Sequence, residues 1–70
     1  MTAAEAREVY YAPKVEELTR KLKSHLEMQW PAVSYLPATE VEKEYLTHHF
    51  TSKGYNVTLS DNSILISVTV

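Results

Sequence analysis

The chain has 70 residues, which makes one domain at most, and a core of that size rarely supplies more than about 3–5 kcal/mol. With no cysteine in the sequence, disulfides and thiolate metal sites are excluded, so self-association or a protein partner is the expected additional brace. Seven basic residues stand against nine acidic ones, for a net charge of −2, and no basic run gathers on one face, which argues against nucleic acid as a partner.

The N-terminal stretch MTAAEAREVY carries early acids and no apolar segment, unlike a secretory leader, and no part of the chain approaches the ~18 apolar residues of a membrane span. Within it, TAAE is a capping box: Thr2 can accept from the amide of Glu5, and Glu5 can reach back to the amide of Thr2. A helix therefore starts at Ala3. Pro13 lacks the N–H that would bond to Val9, so a kink or break is expected there. Residues 1–12 then form a candidate arm, and the main helix occupies residues 13–29 until Pro31 ends it. Its apolar stripe is Val15, Leu18, Leu22 and Leu26, with Tyr11 one turn earlier. Glu16–Arg20 and Glu17–Lys21 are i,i+4 pairs in the favourable order and mark its solvated flank.

PAVSYLP is too short and too bounded by proline for a helix. Its alternation gives a short edge strand over residues 32–36, where a missing donor is tolerated. TEVE, beginning at Thr39, is a second capping box, and the acids at 40, 42 and 44 suit the positive end of a helix dipole. The helix covers residues 40–53, with Val41, Tyr45, Leu46, His49 and Phe50 inward and Gly54, the only glycine, as its stop.

Residues 55–70 form a hairpin. If Asp61 and Asn62 make a two-residue turn, Leu59 faces Ile64, Val57 faces Ile66 and Tyr55 faces Val68, which puts these side chains and Val70 on one face. A slip of one residue would divide them. The elements assemble as a two-layer α+β domain, a small antiparallel or mixed sheet with helices on one face. The short strand is expected antiparallel beside the last strand, so that the most apolar strand is central; a right-handed crossover beside residues 55–60 is the alternative.

Nothing in this pattern carries chemistry. His48 and His49 are adjacent and would point about 100° apart on a helix, so they cannot share one ion. Glu44 and His48 could supply two ligands, fewer than zinc requires. There is no nucleophile motif, and a single glycine cannot build a phosphate-cradling loop. The acids are accounted for by capping and ion-pair spacing. No enzyme activity, catalytic residue, cofactor or metal site is expected. Asn56-Val57-Thr58 matches a glycosylation sequon, which without a leader has no use. The aromatic residues Tyr10, Tyr11, Trp30 and Tyr35, around the first helix and its exit, are the candidate partner-binding residues, because tyrosine and tryptophan are enriched at interface anchors.

The ends of the chain resemble a known group. TAAEAR near the start, with GYNV and ILISV near the end, is similar to a loose set of small bacteriophage-encoded proteins. Those begin with Thr-Ala-x-Glu-Ala-Arg and finish with Gly-Tyr-x-Val, a short turn and Ile-Ser-Trp. Here Val68 stands in place of that tryptophan and two residues follow it. The group has no common activity, so no residue role carries over. The resemblance implies origin in a tailed phage and a place in the virion or the host bacterial cytoplasm. It fits a virion structural or assembly component, or alternatively an early protein that inhibits a host or defence factor or sequesters a small signal molecule.

Overall fold

The computed structural model describes residues 1–69. Val70 lies outside the described residues, and the inward position expected for it with it. The elements are α1 (Ala3–Glu27), β1 (Ala32–Tyr35), α2 (Glu40–Ser52), β2 (Asn56–Leu59) and β3 (Ile64–Ser67). They form an α+β domain with a three-stranded antiparallel sheet in the order β1-β3-β2, so the last strand is central.

The capping box forms as expected: the Glu5 amide donates to the Thr2 hydroxyl (3.2 Å) and the Thr2 amide donates to the Glu5 carboxylate (3.1 Å). Of the kink or break expected at Pro13, the break does not occur. α1 is one helix of 25 residues, about as long as the 39 Å long axis of the molecule. Two features explain its continuity. Pro13 and Val9 are both exposed, so the Val9 carbonyl that loses its donor is on the solvent side, where water can satisfy it. Just before the proline, Tyr11 is buried against Tyr45 with ring centroids 5.0 Å apart, a contact that a break would forfeit.

Both helices end in the same device. In α1 the Trp30 amide donates to the His25 carbonyl (2.8 Å) and the Gln29 amide to the Leu26 carbonyl (2.9 Å), with Gln29 left-handed at φ 61°. In α2 the Tyr55 amide donates to Phe50 (3.1 Å) and the Gly54 amide to Thr51 (3.1 Å), with Gly54 at φ 92°. These are Schellman closures. Each adds an aromatic contact across the closure: Trp30 stacks on His25 at 5.0 Å, and Tyr55 meets Phe50 edge-on at 5.6 Å. α1 therefore stops at Glu27, before the proline that was expected to end it.

The hairpin has the expected register, with Val57 opposite Ile66 and Leu59 opposite Ile64. β1 adds Val33 opposite Ile66 and Tyr35 opposite Ile64. The buried core comprises Leu18 and Leu22 of α1, Val33, Leu46 and Phe50 of α2, and Ile64 and Ile66, with Val15, Tyr45, Tyr55 and Val57 packed around it. Three expected inward residues are instead exposed. Leu26 lies past the sheet, Leu59 lies at its edge, and Val41 yields its place to Glu42. On the surface Glu17 pairs with Lys14 (2.7 Å) and Lys21 (3.7 Å); among the described residues Glu16 and Arg20 form no pair.

Candidate functional site

The four aromatic candidates do not converge. Tyr10 and Tyr11 meet edge-on at 4.9 Å, yet they point to different surroundings because adjacent helical residues diverge. Tyr11 is in the core side of α1, whereas Tyr10 is 76 % exposed. Trp30 is at the opposite end of α1, about 25 Å away along the helix. Its inner ring face is used on His25 and the residue remains 61 % exposed. Tyr35 is half-buried in β1 between the two helices.

Tyr35 belongs to a small polar group that the sequence did not announce. Its hydroxyl donates to the carboxylate of Glu42, which is only 8 % exposed, and the Ala38 amide also approaches that carboxylate at 3.4 Å. The Thr39 hydroxyl accepts from the Glu42 amide (3.1 Å), so half of the expected capping box is present. The other half is replaced, because the Glu42 side chain turns inward to Tyr35 and Ala38 instead of back to Thr39. Lys14 covers the Tyr35 ring at 4.9 Å. Burial, then the bond to Glu42, raises the Tyr35 phenol above its ordinary pKa; the bond to Glu17 raises the Lys14 ammonium. The group ties β1, the connecting loop and α2 together.

The surface features lie on the helices and at one sheet edge. A shallow groove of about 440 Å³ runs between α1 and α2 with an apolar floor of Val9, Ala12, Val15 and Tyr45, bordered by Glu8, Glu16 and His49. His49 stacks along Tyr45 at 6.2 Å; burial, then the nearby Lys53, depresses its pKa, while Glu8 opposes the shift. Every residue from 1 to 10 is exposed, including Val9 (65 %) and Tyr10; the first turns of α1 lie across a shallow cleft from α2, with Glu5 and Glu8 opposite His48, His49 and Lys53, and part of their apolar surface is uncovered. A second groove, of about 450 Å³, separates α2 from Leu59 at the β2 edge.

Among the described residues no three metal-ligating side chains are grouped, and no helix is long and apolar enough to cross a membrane. The surface presents apolar and aromatic groups held on α1, with mixed charges beside them. Comparison with family models, with curated proteins and with solved structures returned no match for the chain.

Proposed function

We propose that this chain is a small phage protein that works without catalysis, through contacts with other proteins, as a structural or assembly component of the virion. The observation that carries this reading is the exposed outer face at the start of α1. Its helix is capped at Thr2 and continuous with the docked part, yet residues 1–10 bury none of their side chains in the domain. A rigid helical arm that presents Val9 and Tyr10 is suited to lie against a neighbouring protein, where an exposed aromatic anchor is most useful. The phage origin rests on the motifs at the chain ends, and the small unstapled core adds that binding a neighbour would stabilise the fold by mass action.

Mass spectrometry of purified virions tests the reading: the protein is expected in the particle in many copies, and its absence would leave the host-directed alternative. Tyr10→Ala tests the arm. It is expected to weaken association with the neighbouring protein while leaving helicity by circular dichroism unchanged. Unaltered association would remove the arm from the contact. Tyr11 is unsuitable for this test because its ring belongs to the packing against Tyr45.

A further inference from the structure

The sheet has two edges, and the chain covers them unequally. Along β1, the Val68 amide donates to the Pro31 carbonyl (3.0 Å). In an antiparallel ladder directly bonded pairs recur at every second residue, so Val33 and Tyr35 bond to β3, and Ala32 and Ser34 turn their backbone groups outward. Those of Ala32 are already occupied. Its amide donates to the Trp30 carbonyl (2.9 Å), and its carbonyl accepts from Nδ1 of His25 (2.6 Å), over which Trp30 is stacked. Pro31 and Pro37 bracket the strand. Only Ser34 is left with open groups in β1.

β2 is different. The Ser60 amide donates to Ser63 (2.9 Å), which sets the alternation on that side. Asn56 and Thr58 bond to β3, and Val57 and Leu59 aim N–H and C=O away from the sheet. No backbone group of the described chain meets them. The strand sequence Asn-Val-Thr-Leu contains no charge and no proline, the usual means by which edges are protected. At its side Leu59 is 54 % exposed over the groove that faces α2.

We propose that β2 is a self-pairing edge, on which a second copy of this chain adds its own β2 antiparallel across a two-fold axis at Thr58. The result is one continuous sheet, twice as wide, with all helices on the same face. This occupant follows from the pattern of open groups. With the axis at Thr58, Val57 of one copy is opposite Leu59 of the other; each donates to the other, the pair repeats by symmetry, and no open group of either residue is left over. An axis at Val57 would require the Tyr55 amide, which is already bonded to Phe50. The chosen axis also sets Leu59 beside Val57 of the other copy, covering an exposed leucine, and places Thr58 against Thr58, a favourable cross-strand pair.

The proposal refines the reading that this protein works through association, but its test is separate. A four-residue strand edge buries much less than the ~1,600 Å² of a standard stable interface, so pairing belongs to high concentration. The full chain, labelled for amide hydrogen exchange, is compared by sedimentation and exchange between about 10 μM and about 1 mM, the range in which weak pairing appears. The mass is expected to rise toward twice 8.0 kDa. Exchange at Val57 and Leu59 should slow several-fold as it does so, with Ser34 unchanged. Leu59→Lys should abolish both effects without lowering the melting temperature of the dilute protein, whereas Leu65→Lys, on the opposite sheet face, should abolish neither. A constant monomer mass, protection at Ser34 in place of Val57, or pairing that survives Leu59→Lys would overturn the proposal. A monomer that still requires Tyr10 to bind its neighbour would overturn it and leave the virion reading intact; a paired protein absent from virions would do the reverse.

Discussion

Ile66 is the position at which the fold is most exposed to test. It is 0 % exposed in the central strand, with Val33 on one side and Val57 on the other. Ile66→Val removes one methylene and is expected to cost about 0.5–1.5 kcal/mol; Ile66→Ala leaves a cavity and is expected to cost about 2–5 kcal/mol. A domain of this size has about 3–5 kcal/mol in total. The valine variant should therefore melt lower by roughly 4–8 °C for each kcal/mol lost, and the alanine variant should lose most of its stability. Ile66→Asp would bury an unpaired carboxylate and should not fold. The control is one residue away. Leu65 is 40 % exposed on the opposite face, between Ser34 and Thr58, and Leu65→Ala should cost well under half of what Ile66→Ala does. Thermal and urea unfolding followed by circular dichroism measures both. A larger loss at 65 than at 66 would mean that the strand is slipped by one residue and the sheet is inside out.

Three further outcomes follow from named contacts. Pro13→Ala restores a helical donor to the Val9 carbonyl at an exposed position, so it should stabilise the protein by about 2–2.5 kcal/mol, the ~3 kcal/mol interior proline cost less the ~0.4–1 kcal/mol of entropy that proline removes from the unfolded chain; a lower melting temperature would show that the proline is needed for the path of α1. Gln29→Gly relieves a left-handed φ of 61° and should raise urea stability by about 0.5–1 kcal/mol; no gain would mean that Gln29 is held there by contacts worth as much as the strain. The depressed pKa of His49, caused first by burial, means that the folded protein binds this proton less readily than the unfolded chain does. Its contribution is therefore present above the unfolded value of about 6.5 and is lost as pH falls through the lower folded value. Melting temperatures should decline as pH falls below about 6.5, and His49→Gln should remove that part of the decline; an identical profile in the variant would place the titration elsewhere.

The sequence was most informative where one residue type has one use. Gly54 marked the end of α2 because a left-handed closure favours glycine, and the matching closure of α1 was invisible because glutamine occupies the same conformation at 29. The hairpin register was legible because apolar residues alternate on both strands and any slip divides them. The same alternation could not say that Leu59 would lie beyond the reach of α2. Pro13 suggested a break because local rules count the lost donor; they do not count the contact between Tyr11 and Tyr45, which needs a residue 34 positions away. Glu42 was readable as a capping acid, and that use competes with another: once Tyr35 supplies a buried hydroxyl, the carboxylate turns inward and Val41 turns out.

That competition also sorts the aromatic residues. Tyr11 is used in packing, Trp30 closes α1 and shields the bond between His25 and the β1 edge, and Tyr35 holds Glu42. Each therefore has an intramolecular use sufficient to account for its place in the chain. Tyr10 is the exception, since its principal ring contact is the edge of its neighbour and the residue is otherwise open to solvent. Among the described residues, the Tyr10 side of α1 and the β2 edge are two surfaces without an intramolecular account. They lie on different elements and offer different chemistry, an aromatic face on a rigid helix and a row of backbone donors and acceptors. A chain built this way can pair with its own kind through the strand and still present the helix to a different protein, so loss of one contact by Leu59→Lys should leave the other, read with Tyr10→Ala, intact.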